Sequence, residues 1–221
     1  MTNQMISGKD YSNDMSSCDI LSSCDIIMKK EWGRSDMKIL CIGDSNTYGY
    51  DPRSFLGSRY PEEIRWTDRL DNCDVINCGI NGLTIPRDHP RYVMMIRNNG
   101  PDLVIVMLGT NDLFRRISAE EIAEQMERFI DSISSAGIPI LLIAPPHLEP
   151  GDWVETGDII EESYYLGDEY RELAERKGCL FADAGEWGVE LTFDGVHFAP
   201  EGHETFARNL YKTLASYDII S

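Results

Sequence analysis

With 221 residues, 42% hydrophobic and 26% charged, the chain has room for one domain with a sizeable core and the composition of a soluble globular protein. A formal net charge of −18 argues against nucleic acid as a partner, because a polyanion needs clustered Lys and Arg. No apolar run approaches the roughly 20 residues that span a bilayer, and the N-terminus has no basic start followed by an apolar stretch, so no membrane partner and a cytoplasmic location are expected.

Residues 1–36 are rich in Ser, Asp and Asn and repeat "SSCDI" at 16–20 and 22–26, a spacing too short for a stacked-repeat architecture. They read as an N-terminal extension, poorly ordered or loosely docked, ahead of a domain over 37–221. The six cysteines, at 18, 24, 41, 73, 78 and 179, form no C-x-x-C pair. Cys41, Cys73, Cys78 and Cys179 lie in or beside apolar runs, where Cys serves as a small buried hydrophobe, and no structural disulfide is expected.

From residue 37 strands and helices alternate. "MKILCIG" (37–43), "DVINCG" (74–79), "DLVIVMLG" (102–109) and "IPILLIA" (138–144) read as strands buried on both faces of a parallel sheet, and "CLFAD" (179–183) as a weaker fifth. A helix begins after Ser118, where "SAEE" makes a capping box with Glu121; Ile122, Met126, Phe129, Ile130 and Ile133 recur at helical spacing and Gly137 closes it. A second helix is expected over about 159–177 before Gly178, and a third from Pro200, turning Phe206, Ala207, Leu210 and Leu214 inward. The pattern predicts a three-layer α/β/α sandwich on a five-stranded parallel sheet. Ligands bind such sheets at the carboxyl ends of the strands. "GDSN", "GINGLT", "GTND" and "APPHLEP" then gather on one edge.

These loops hold the parts of an acyl-transfer site. A serine hydroxyl needs an adjacent base, normally a His oriented by a carboxylate. Of the four histidines, at 89, 147, 197 and 203, His197 follows Asp194 by three residues in "FDGVHFAPEGH", just before the last helix. An oxyanion needs preorganised donors, and Gly82 offers an open backbone N–H and Asn111 a side-chain amide. Each alone also fits ordinary turn chemistry. Asp44 and Asp112 are expected to brace the loops through hydrogen bonds to backbone N–H groups. The Pro- and Gly-rich stretch 145–158, with His147 and Trp153, reads as a lid, a specificity loop or a surface connection around one packed tryptophan. Tyr48, Tyr50 and Trp66 fit either a substrate wall or the core.

Taken together, "GDSN", "NCGINGLT", "GTND" and "DGVH", in this order and at strand ends, resemble the four blocks of the SGNH (GDSL-type) hydrolases over about 37–217. "GDSNTYGYDP" followed by "RYPEEIRW" is similar to the arylesterase-like branch. The resemblance implies a flavodoxin-like SGNH hydrolase fold and a serine esterase that hydrolyses or transfers short acyl groups from small esters, acetylated carbohydrates among them. It implies Ser45 as nucleophile, His197 as general base and acid, Asp194 as its orienting carboxylate, and an oxyanion hole of the Ser45 and Gly82 N–H groups and the Asn111 amide. It implies no cofactor and no metal, a small-molecule ester as the partner, and it allows for a homo-oligomer. Asn46 stands where the family's name-giving string has Leu.

Two rival readings keep the fold. A catalytically silent ligand-binding module, with "SNTYG" as an anion cradle, leaves Asn111 and the Asp194–His197 pair without a task. A metal site of Asp44, Asp112, His197 and His203 suffers from poor ligand spacing between the two histidines.

Overall fold

The computed structural model describes residues 37–54, 58–155 and 157–220; the extension read from residues 1–36, with Cys18 and Cys24, lies outside them. Five strands, β1 (Met37–Gly43), β2 (Cys73–Asn77), β3 (Leu103–Met107), β4 (Ile140–Ala144) and β5 (Leu180–Asp183), form one parallel sheet in the order β2-β1-β3-β4-β5. The helices are α1 (Ser45–Tyr48), α2 (His89–Asn99), α3 (Thr110–Leu113), α4 (Ala119–Ser134), α5 (Gly157–Lys177) and α6 (Pro200–Ser216), with 3₁₀ turns at Trp66–Asp68 and Ala184–Trp187.

Successive strand residues point to opposite faces, so the apolar runs feed two cores. On one face Leu40, Ile42, Val104, Val106 and Leu142 meet Ile96 of α2, the inward stripe of α4, and Leu166 and Tyr170 of α5. On the other Ile39, Cys41, Ile105 and Ile143 meet Trp66 and Phe206, Leu210 and Leu214 of α6. The α4 stripe is the one the spacing predicts, and the Ser118 hydroxyl accepts the Glu121 N–H at 3.3 Å to start the helix. Phe129, Met126 and Ile130 are wholly buried, each side chain contributing about 1.5–3 kcal/mol by leaving water.

Two expectations need correction. β2 is only partly buried, because it is an edge strand with one neighbour. Helix α2 escaped the sequence reading: only Tyr92 and Ile96 are buried, while Met94 is 62% exposed, so "YVMMI" carries no clean stripe. β1 has the expected bounds, β2 begins one residue early and ends two early, and β3, β4 and β5 are shorter than expected by one or two residues at one or both ends.

The strand order reverses beside β1, since the chain goes out to β2 and returns to β3 on the other side. Loops leaving β1 and β3 diverge there and open a crevice above the carboxyl ends of the strands. Ser45 follows β1 and Asn111 follows β3, one on each lip of that crevice.

Candidate active site

β1 ends at Gly43, and Asp44 caps α1 by accepting the Asn46 N–H on Oδ1 at 2.9 Å. Ser45 is therefore the first helical residue, where a backbone N–H has no carbonyl in a preceding turn. Its Oγ lies 3.0 Å from His197 Nε2, and His197 Nδ1 lies 2.7 Å from Asp194 Oδ2. The other Asp194 oxygen accepts the N–H groups of Val196 (2.9 Å) and His197 (3.0 Å) and the Thr192 hydroxyl (2.9 Å). Burial alone would push the Asp194 carboxyl up, but the His197 ring and these N–H donors outweigh it and bring it down to about 2. Asp194 is thus a carboxylate at neutral pH. The Nδ1 that faces it carries the proton, and Nε2 presents its lone pair to the Ser45 hydroxyl.

Asn46, left without a role by sequence reasoning, spans the backbone on both sides of His197. Its Nδ2 donates to the Val196 carbonyl and its Oδ1 accepts the Phe198 N–H, both at 3.0 Å, and the residue is 5% exposed. Its own carbonyl accepts the Trp66 indole N–H at 3.0 Å. Trp66 is a core residue, stacked on Phe206, and not a substrate wall. No sequence signal could have found the Asn46 contacts, because its partners are backbone groups 150 and 152 positions away.

On the opposite side of Ser45 the segment after β2 is held at three points. Gly79 lies against the backbone of Thr47 and Tyr48, where any Cβ would collide with the Tyr48 nitrogen. Ile80 N–H donates to the Gly43 carbonyl at 3.0 Å, and the Leu83 carbonyl accepts from Asn111 Nδ2 at 3.1 Å. Gly82 lies within this strap, solvent-exposed, with φ of +70°. The Asn111 amide also approaches Asp44 Oδ2 at 3.5 Å. Asp112 accepts the Ile85 N–H at 3.2 Å, which ties the loop after β3 to the one after β2, as the bracing role expects. Burial pushes both Asp44 and Asp112 up to about 6, in spite of these bonds.

The 145–158 stretch is fastened to the Asp194 turn. Glu149 N–H donates to the Gly195 carbonyl (3.1 Å), Asp152 N–H to Phe193 (3.0 Å) and Trp153 N–H to Asp194 (3.2 Å). Gly195, with φ of +76°, has no room for a Cβ beside the Glu149 carbonyl. These three bonds fasten the stretch to the Asp194 turn, which argues against a free lid. Trp153 is 53% exposed, and its ring stands edge-on to His197 at 5.0 Å. Tyr50 meets the same imidazole at 4.7 Å.

The other histidines lie elsewhere. His147 stacks on Tyr164 at 3.8 Å, and His89 packs on Phe129. His203 is buried among Tyr60 and Phe198 with its Nδ1 accepting the Trp66 N–H at 3.4 Å, and burial pushes its imidazole down to about 3. Among the described residues no group of three or more His, Cys, Asp or Glu side chains is placed to hold a metal ion, and Cys41, Cys73, Cys78 and Cys179 are free thiols. Among them, too, no helix is long and apolar enough to cross a membrane.

Residues 41–205 match the model of the GDSL-like lipase/acylhydrolase family. The chain belongs to that family. One GDSL-like relative is the arylesterase of Vibrio mimicus, 25% identical over 199 residues that take in 81% of this chain and 89% of the relative. A second relative, the uncharacterized lipoprotein YqeF of Bacillus subtilis, is 30% identical over 126 residues, and the match spans about half of each chain: 53% of this one and 52% of that one. Among solved structures, Est24, a carbohydrate acetylesterase from Sinorhizobium meliloti, is 28% identical and superposes with a TM-score of 0.73 over 81% of this chain and 99% of its own. The five-stranded α/β architecture is thus the family's, as the strand pattern and the four blocks led one to expect.

Proposed function

We propose that this member of the GDSL-like family is a serine esterase that removes short acyl groups from small esters through an acyl-Ser45 intermediate. The observation that carries the reading is the unbroken relay from Asp194 Oδ2 through His197 to Ser45 Oγ, at 2.7 and 3.0 Å. Ser45 Oγ attacks the ester carbonyl carbon as its proton passes to His197 Nε2, and the Asp194 carboxylate stabilises the imidazolium so formed. The carbonyl oxygen, now an oxyanion, takes hydrogen bonds from the Ser45 and Gly82 N–H groups and from Asn111 Nδ2. Collapse of the tetrahedral adduct breaks the bond to the leaving oxygen, which takes the proton from His197 and departs as the alcohol. Water then gives a proton to His197 as it attacks the acyl carbon, and the second adduct collapses with that proton passing to Ser45 Oγ, which releases the carboxylic acid and restores free Ser45 and neutral His197. A second alcohol in place of water gives acyl transfer by the same steps.

The relatives' names, arylesterase and carbohydrate acetylesterase, support acetate as the acyl group and an aryl or sugar alcohol as the leaving group. The free thiols support a reducing, cytoplasmic setting. Ser45→Ala tests the mechanism: turnover of 4-nitrophenyl acetate should fall by about 10⁶, the cost of removing such a nucleophile in a serine protease. A loss of less than about a hundredfold would remove Ser45 from the mechanism.

A further inference from the structure

Beyond Trp153 lies a cavity of about 330 Å³ that the reaction at Ser45 does not itself require. It opens between the segment following α3 and the start of α5. Phe114, Ile117 and Trp153 supply apolar walls, and Glu155, Asp158, Glu162 and Arg116 are its charged lining. The volume is at the small end of ligand pockets, which run from about 300 to 1,000 Å³.

The direction of the reaction says which part of a substrate reaches it. In the tetrahedral adduct the oxyanion points to Gly82 and Asn111, and the leaving oxygen must point to the proton on His197 Nε2. The alcohol portion therefore leaves past the imidazole, and Trp153 is the wall shared between His197 and the cavity.

The lining then says which alcohol. Trp153 and Phe114, 53% and 37% exposed, are large apolar side chains left open to solvent in a place where one small ring can cover them. An aromatic face attracts C–H groups that carry a slight positive charge, as those of a sugar ring do. Carboxylates accept hydrogen bonds from hydroxyl groups and repel a second anion, and here three of them, Glu155, Asp158 and Glu162, outnumber the single guanidinium of Arg116.

We infer that this cavity is the leaving-alcohol subsite and that it takes a neutral, hydroxyl-bearing ring, a single sugar unit, against Trp153. The inference rests on the esterase reading of Ser45 and adds to it the class of alcohol and the residues that choose it.

The test compares kcat/KM for three acetate esters: ethyl acetate, 6-O-acetylglucose, and an acetylated glucuronic acid as the anionic counterpart. The wild-type protein should prefer acetylglucose to ethyl acetate by about tenfold or more, a contribution typical of a well-seated aromatic contact. It should also disfavour the glucuronate relative to acetylglucose. Trp153→Ala should bring the acetylglucose-to-ethyl-acetate ratio down towards one, chiefly through KM. The exposed pair Glu155→Gln/Asp158→Asn should narrow the gap between neutral and anionic sugars by about threefold to tenfold at low salt. This pair also carries the test should Trp153→Ala not fold. Unchanged ratios in a folded variant, with ethyl acetate still cleaved, overturn the subsite and leave the esterase standing. Failure of the wild type to cleave any of the three esters, together with no labelling of Ser45 by an organophosphonate, removes both.

Discussion

On the His197 side of Ser45, the Asp194 carboxylate is 0% exposed and takes four hydrogen bonds, from Thr192, Val196, and the backbone and ring of His197, while Asn46 holds the chain on either side of the imidazole. On the other side, Gly82 stands in solvent and the Asn111 amide is divided between the Leu83 carbonyl and Asp44. The proton-transfer side is finished before substrate arrives, since its donors and acceptors all belong to the protein. In the proposed mechanism the partner of the Gly82 and Asn111 side comes with the substrate, which fits donors that stay within reach of open space. Preorganisation here is a matter of which atoms are present at rest.

The comparison breaks most visibly at Asp194. Asp194→Asn keeps the shape but presents an amide to Nδ1, favouring the wrong tautomer, and kcat should fall by about 10⁴, as such a change does in a serine protease. A loss of only a few fold would mean that His197 is oriented by its backbone alone. Asn111→Ala probes the open side: kcat on 4-nitrophenyl acetate should fall by about 10²–10³ with little change in KM, the loss expected for one oxyanion donor. An effect mainly on KM would instead assign Asn111 to ground-state binding.

Asn46→Leu, which restores the residue in the family's name, sharpens the comparison further. It removes the contacts to the Val196 carbonyl and the Phe198 N–H on either side of His197, and kcat should fall by about tenfold to a hundredfold, the cost of a small misplacement of a reacting group. Asn46→Asp keeps the acceptor for the Phe198 N–H and should recover part of the loss. Equal stability and unchanged kcat for Asn46→Leu would show that the clamp is dispensable.

The smallest effect is read from stability. Asp112, held up to about 6, binds its proton more tightly folded than unfolded, so its contribution is fully present below about pH 4 and is lost as pH rises through 6. Asp112→Asn has no such proton, and in urea unfolding it should gain on the wild type between pH 4 and 6 and run parallel above. Asp194, at about 2, acts in the opposite sense, its contribution being present above pH 4 and lost as pH falls through 2. A parallel pair of curves from pH 4 to 7 would mean that Asp112 titrates normally.

Much of the architecture was legible because β1, β3 and β4 are central strands, and burial on both faces leaves unbroken apolar runs such as "LVIVM". The α4 helix was legible for the same reason, through a wide stripe and a capping serine. Helix α2 was not, because two buried positions do not make a period, and β2 read as a central strand because its sequence does not record that one side lacks a neighbour. In the site, Ser45, Gly82, Asn111, Asp194 and His197 carry side-chain identities or turn signals that a one-dimensional motif can hold. The contacts of Asn46 are with carbonyl and N–H groups that every residue possesses, so no letter in the sequence marks them. Trp153 was visible as an aromatic in a loop, but its approach to His197 depends on three backbone bonds across the Asp194 turn.

The separation of Ser45 from His197 also has a consequence for synthesis. The serine leaves the ribosome 152 positions ahead of the histidine it pairs with. Chains grow N-terminus first, and the sheet can begin to assemble while that tail is still being added. Throughout that interval the hydroxyl is an ordinary alcohol. Under the proposed mechanism reactivity is conferred only when 196–198 meets the Asn46 side chain, so a product terminated before His197 keeps the serine and remains chemically inert.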